Sequence, residues 1–196
     1  MKKTISTILT TSVLLAALNP AANAMVIGFT PANQNVYLGD SVNVDITVSD
    51  FAPNKSLGDY DFVFNFDASI LNLSSVTFGS QLGVSDKGSV NLGGGAFNLY
   101  ELSLESAAFL EANQADSFTL ATLSFGTSAV GVSSLDFTKL FSIGDQFGDK
   151  LESEFNSGSI AVLERPSNVP EPNAFLLLGI GLAAMGITRR KSKMAV

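Results

Sequence analysis

The sequence predicts an all-β fold of the sandwich class. Three observations carry this: apolar and polar residues alternate with period two, turn-forming residues recur at short intervals, and little of the chain has helical periodicity. The first strand expected is 26–29, followed by a Leu38-Gly39-Asp40 turn. Val42, Val44, Ile46 and Val48 then alternate with Ser41, Asn43, Asp45, Thr47 and Ser49. A turn region over 50–58 leads to the clearest alternation, Tyr60, Phe62, Phe64 and Phe66 against Asp59, Asp61, Val63, Asn65 and Asp67. Both runs read as strands with one buried and one wet face. Further strands are expected over 71–78, 97–104, 118–125, 133–137 and 159–163. Gly93-Gly94-Gly95 and the stretches 126–131 and 144–148 are the turn signals between them. Residues 107–115 are the one short helical stretch, and Asn113 weakens it.

The two ends of the chain follow different rules from this middle. Lys2 and Lys3 precede an apolar-leaning run over 5–18, and Ala22-Asn23-Ala24 is an A-x-A cleavage site. That order is the signature of an export signal cut by signal peptidase, so residues 1–24 are set aside and the mature chain is expected to start at Met25. At the other end, Ser167-Asn168 reads as a linker to a tail over 167–196. There Val169-Pro170-Glu171-Pro172 is followed by an uncharged apolar run over 174–187, extended by Thr188 to a segment of 174–188, and by the basic cluster Arg189-Arg190-Lys191, with Lys193 beyond. The two prolines lack amide donors and hold the stretch open. A helix over the apolar run would reach roughly 21 Å, short of a hydrocarbon core of about 30 Å. Such a marginal span suits a temporary stop, and the basic end over 189–193 keeps its side of the tail in the cytoplasm.

Pro170-Glu171-Pro172, the apolar segment and Arg189, Arg190 and Lys191 occur in the order of the PEP-CTERM sorting signal of Gram-negative bacteria, which this tail resembles. The resemblance implies handling by an exosortase-type membrane protease, transient anchoring in the inner membrane, and delivery to the cell surface or beyond it. It also implies an association with exopolysaccharide and biofilm matrix.

The domain between the signals, 25–166, carries 17 acidic residues against Lys55, Lys87, Lys139, Lys150 and Arg165, a net charge of −12. The whole-chain value of −7 conceals this, because six of the 11 basic residues lie in the terminal segments. Nucleic acid is excluded as a partner by that charge, and anionic lipid is disfavoured. With no cysteine there are no disulfides, and stability rests on the core. With no histidine, Ser-His-Asp and Cys-His nucleophile systems are excluded, and zinc, copper and haem sites are not expected.

Two acidic groups are candidates for chemistry. Asp59, Asp61 and Asp67 share one strand face, with successive same-face positions roughly 7 Å apart. Asp145, Asp149, Glu152 and Glu154 cluster in and after a glycine-containing loop, a set of oxygen ligands that suits Ca²⁺ although its spacing is not that of an EF-hand. No two carboxylates are marked as a glycosidase pair. Of the 15 phenylalanines, Phe62, Phe64 and Phe66 are assigned to the core. Tyr37 and Tyr100 are the candidates for a ligand-stacking surface in a chain with no tryptophan. Gly93–95 has neither the following helix nor the lysine of a phosphate loop.

The segment 35–49, with its Gly-Asp turn and valine strand, resembles the opening strands of cohesin-type domains. The aromatic strand over 60–71 with its Asp67-x-Ser69-x-Leu71 turn, and the segments 76–80 and 156–162, are similar to later parts of the same fold in the same order. The resemblance implies a jelly-roll sandwich of about nine strands, related to carbohydrate-binding modules. Cohesins bind dockerin modules, but that activity is not expected to carry over here, because no motif identifies dockerin-contacting residues and the tail implies a non-cellulosomal setting. Two functions follow. The first is a non-enzymatic surface or matrix protein whose sandwich binds a polysaccharide or a surface protein. The second is a secreted glycan-binding accessory module or polysaccharide hydrolase. The missing histidine and the unpaired acids favour the first.

Overall fold

The computed structural model describes residues 24–166 and 179–180. The signal segment before Ala24, and the sorting motif, apolar run and basic end, lie outside the described residues, apart from 179–180. No helix of the described residues is long and apolar enough to cross a membrane.

Eleven strands and one short helix follow in the order β1 Met25–Thr30, β2 Asn33–Tyr37, β3 Ser41–Ser49, β4 Leu57–Asn65, β5 Leu71–Phe78, β6 Ser85–Gly93, β7 Ala96–Ser103, α1 Ala107–Asn113, β8 Phe118–Thr127, β9 Gly131–Asp145, β10 Ser153–Asn156 and β11 Gly158–Leu163. They form a five-stranded sheet, β10-β1-β3-β8-β5, facing a six-stranded sheet, β2-β11-β9-β4-β7-β6. The pairings β1–β10 and β2–β11 are parallel, and the other pairings between strands are antiparallel.

Strict alternation on β3 and β4 supplies the two halves of the core. Val42, Val44, Ile46 and Val48 point inward from one sheet, and Tyr60, Phe62 and Phe64 from the other, with Phe66 just beyond β4. The abundance of phenylalanine is explained by what fills the gap. Phe137 stacks on Phe29 at 4.6 Å and stands edge-on to Phe62 at 5.2 Å, while Phe66 stands edge-on to Phe125 at 5.1 Å. Such pairs add to the area they bury, and the sandwich holds without disulfides.

Turn chemistry closes the connections. Asp67 caps the turn after β4: its Oδ1 accepts from Ser69 N at 2.8 Å and from Ser69 Oγ at 2.6 Å. It is therefore a turn residue and not a third member of the β4 face. Gly93, Gly94 and Gly95 all have positive φ, and a Cβ on Gly95 would lie 2.0 Å from the Phe66 carbonyl oxygen, so this hairpin needs glycine.

The sequence expectation falls short by the strands that do not alternate. β2 and β6 are polar edge strands, each paired on one side only. β10 has four residues. β9 runs past the expected 133–137 to Asp145, with bulges against β4 along the way. The helix ends at Asn113, whose side chain bonds back to the Phe109 carbonyl at 2.7 Å. Phe64 is fully buried and touches rings from three directions. Phe64→Ala should cost about 3–5 kcal/mol in denaturant unfolding. Near-native stability would mean that the inward face of β4 is wrongly assigned.

Candidate functional site

The strand that fills the core also builds a surface. Asp59, Asp61, Val63 and Asn65 point away from the core of β4, and the register extends each into a row across neighbouring strands. Asp59 lies between Leu102 of β7 and Gly144 of β9, and Leu102 pairs on with Asp86 of β6. Asp61 lies between Tyr100 and Ser142, with Gly88 beyond Tyr100. Val63 lies between Asn98 and Lys139, with Val90 beyond. Asn65 lies between Ala96 and Asp136.

Two glycines flatten this face. A Cβ on Gly88 would meet Tyr100 Oη at 2.7 Å, so glycine lets the tyrosine ring lie across β6. A Cβ on Gly144 would meet Asp59 Oδ1 at 2.1 Å, so glycine there lets the carboxylate reach over β9, where Ser142 Oγ donates to it. Asn98 Nδ2 donates to Asp61 Oδ1 at 2.5 Å and to the Phe62 carbonyl at 3.2 Å. The other Asp61 oxygen accepts nothing among the described residues. Val63 is only 3% exposed although it faces outward, held between Asn98 and Lys139. Around the acidic row stand exposed apolar side chains: Val84, Leu102 and Leu104 at one corner, Val90 and Leu92 along β6, and Phe141 on β9. The result is a broad face with four carboxylates, one lysine and an apolar border, complementary to a partner carrying apolar side chains with basic or hydroxyl groups.

Behind this face lies a buried charge that alternation does not reveal. Glu101 points inward from β7 and is 2% exposed. It accepts from Ser85 Oγ at 2.6 Å, Tyr60 Oη at 3.0 Å and Lys87 Nζ at 3.2 Å. Lys87 also lies 5.8 Å from the centre of the Phe78 ring. Burial first, then the Glu101 charge and hydrogen bond, push the Tyr60 hydroxyl far above its ordinary range, so it stays a donor. The network ties β6, β4 and β7 together beneath Tyr100 and Gly88.

The loop acids are separated by the fold. Asp145 is 1% exposed and pairs with Lys55, while its Oδ1 accepts from Phe147 N and Asp149 N, both at 2.9 Å. Glu152 pairs with Lys150 at 3.0 Å, Asp149 is exposed, and Glu154 lies on β10. Among the described residues no three acids, histidines or cysteines stand close enough to hold a metal ion. A cation here would have to displace Lys55 from Asp145. Two glutamines pin the Lys55 loop: Gln146 Oε1 accepts from Ser56 N at 3.0 Å, and Gln114 exchanges hydrogen bonds with the Leu57 amide and carbonyl at 2.7 and 2.6 Å. The cavity beside them, lined by Phe51, Lys55, Glu111 and Asp116 among others, is about 270 Å³, at the small end for enclosing a ligand. Tyr100 lies at the centre of the outward face. Tyr37 lies at the far end of the same sheet, under the Arg165 guanidinium.

Burial works to raise the Asp145 carboxyl, but the Lys55 hydrogen bond and the two amides outweigh it and hold it below its ordinary value of 3.8. Its contribution to stability is therefore complete above 3.8 and is lost as the pH falls through the lower folded value. Lys55→Met should lower the melting temperature at neutral pH. The gap between the two proteins should narrow as the pH falls through the folded Asp145 value, because the protonated carboxyl no longer gains from Lys55. Coincident melting temperatures at neutral pH, or a gap that acid leaves unchanged, would show that Lys55 does not carry this pair.

Comparison with known proteins agrees with this architecture. The cohesin-domain model matches residues 27–162, and the model of the PEP-CTERM protein-sorting motif matches residues 168–191. The seventh ScaB type I cohesin from Pseudobacteroides cellulosolvens is similar in structure, with a TM-score of 0.60 at 20% identity over 74% of this chain and 96% of that one. A type I cohesin–dockerin complex from Clostridium thermocellum contains a match with a TM-score of 0.61 at 16% identity, over 72% of this chain and 100% of that one. A non-cellulosomal cohesin from the archaeon Archaeoglobus fulgidus gives 0.56 at 12% identity, over 72% and 92%. At these identities the structures speak for the fold alone. No curated protein matches the chain in sequence. With the family model covering most of its length, the chain belongs to the cohesin-domain family, a family of non-catalytic interaction modules, here joined to an exosortase-type sorting signal.

Proposed function

We propose that this protein is a surface-sorted docking module that captures a dockerin-type partner on the outward face of β9-β4-β7-β6. The observation that carries the reading is the row Gly88–Tyr100–Asp61–Ser142. There an aromatic ring made planar to the sheet by a glycine stands beside a carboxylate with one oxygen open, inside an apolar border. Several of the similar solved cohesins are in complex with dockerins, which supports a partner of that class. Interfaces of this kind draw most of their energy from a few central aromatic and charged groups. The sorting tail supports delivery to the cell surface by an exosortase-type protease after an export signal is removed at Ala22-x-Ala24. On this reading the partner or scaffold it joins is part of the extracellular polysaccharide and biofilm matrix.

Calorimetric titration of the mature protein with a dockerin module tests the face. The double substitution Asp61→Asn and Tyr100→Ala should weaken binding at least about tenfold while the melting temperature changes little. Equal affinity would move the site elsewhere. Retention on exopolysaccharide with no dockerin binding would favour a glycan-binding module.

Processing is tested separately. Replacing Pro170, Glu171 and Pro172 with alanine should leave export intact and trap the full-length chain in the membrane. Deleting residues 189–193 should weaken the stop, because the positive charge that resists translocation is gone. Mass spectrometry of the extracellular protein reads the outcome. A released form that still carries residues 175–193 would show that the tail is not a processing signal.

A further inference from the structure

Five exposed apolar side chains gather at one end of the six-stranded sheet, where the outward side that carries the proposed docking face runs on from β9 to β11 and β2. Tyr37 of β2 lies beside Leu163 of β11, and Val162 pairs with Gly131, which brings Val130 and Val132 alongside. Leu38 N donates to the Leu163 carbonyl at 2.9 Å, adding a fifth. Their exposure runs from 37% for Leu38 to 66% for Val132. Farther along the same strands the outward positions are Asn33, Asn35, Ser134 and Ser159. The apolar character is thus confined to the end.

That end is where the chain departs. Arg165 pairs with Asp40, and its guanidinium carbon lies 5.9 Å from the centre of the Tyr37 ring, so the corner holds the chain just after β11. Four residues, 166–169, separate Arg165 from Pro170, and Ala174 opens the apolar run nine positions after Arg165. Nine residues fully extended span at most about 30 Å. A corner tethered that closely to a bilayer meets its surface at millimolar effective concentration, where weak contacts suffice.

We propose that this corner, Tyr37, Leu38, Val130, Val132 and Leu163, rests on the zwitterionic headgroup layer of the membrane that holds the tail before processing. The proposal rests on the sorting reading above. Tyrosine suits that layer because its ring is amphipathic, and the leucines and valines supply area to bury. Arg165 neutralises Asp40, while the adjacent Glu164 keeps the local charge negative, so an anionic surface is disfavoured. Seated this way, Phe147 lies at the opposite, distal end of the sheet, beyond Asp145 of β9.

The chain has no tryptophan, so a single one reports its own surroundings. The full chain carrying Val130→Trp would be reconstituted in phosphatidylcholine vesicles and compared with the full chain carrying Phe147→Trp. The expected result is a blue-shifted emission that brominated lipids quench for Val130→Trp, and an unshifted, unquenched emission for Phe147→Trp. Adding Tyr37→Ser and Leu163→Ser should abolish the quenching while the chain still floats with the vesicles and melts cooperatively. Flotation with no quenching at Val130→Trp overturns the proposal alone. Failure to float overturns the sorting reading and this proposal with it. Shielding that appears without lipid and grows with protein concentration assigns the corner to a second copy of the chain and also overturns it.

Discussion

The alternation of β4 is the constraint from which the rest of the structure follows. Tyr60, Phe62 and Phe64 turn inward, and Asp59, Asp61 and Asn65 turn outward because they sit on the intervening positions. A slip of one residue would drive the carboxylates into an aromatic core and the rings into water, so the register is fixed by a penalty on every position at once. The same packing that stabilises the sandwich thus decides which residues the outward face presents. Neighbouring strands inherit this: Tyr100 and Leu102 face outward because they are registered on Asp61 and Asp59.

Two buried carboxylates serve the geometry of that face rather than chemistry of their own. Glu101 would be expensive alone, yet three donors from β4 and β6 satisfy it, and it fixes the edge strand whose Gly88 supports Tyr100. Asp145 sits where β9 ends, and its pairing with Lys55 draws the β3–β4 loop against the β9 turn. Breaking one partner of such a group costs more than the pair contributes, because a charge is left stranded. Both therefore act as locks at the margins of the outward face.

The placement of the ends relates this face to the sorting tail. β1 begins at Met25 near Glu152, at the distal end, and the chain leaves by Leu163 and Arg165 at the other. The broad face of the six-stranded sheet lies between them.

The sequence by itself determined the fold class, the inward set on β3 and β4, and the C-terminal sorting motif. Each of these is local: a period of two, a turn dipeptide or a run of apolar residues can be read without knowing what lies across the sheet. The turn after β4 was legible in the same way, through Asp67 and Ser69. Only the tertiary structure decided what depends on partners distant in the chain. β2 and β6 are strands because β11 and β7 supply their hydrogen bonds, although their own side chains are polar. Asp145 is paired by a lysine 90 positions away, and no spacing rule links the two. Gly88 of β6 is the seat of the Tyr100 ring, which nothing local to it signals. Asp59 and Asp61 were visible as an acidic pair, but the apolar border around them comes from residues on β6, β7 and β9. Sequence periodicity specifies which way a side chain points along its own strand, and only the pairing of strands specifies what it points beside.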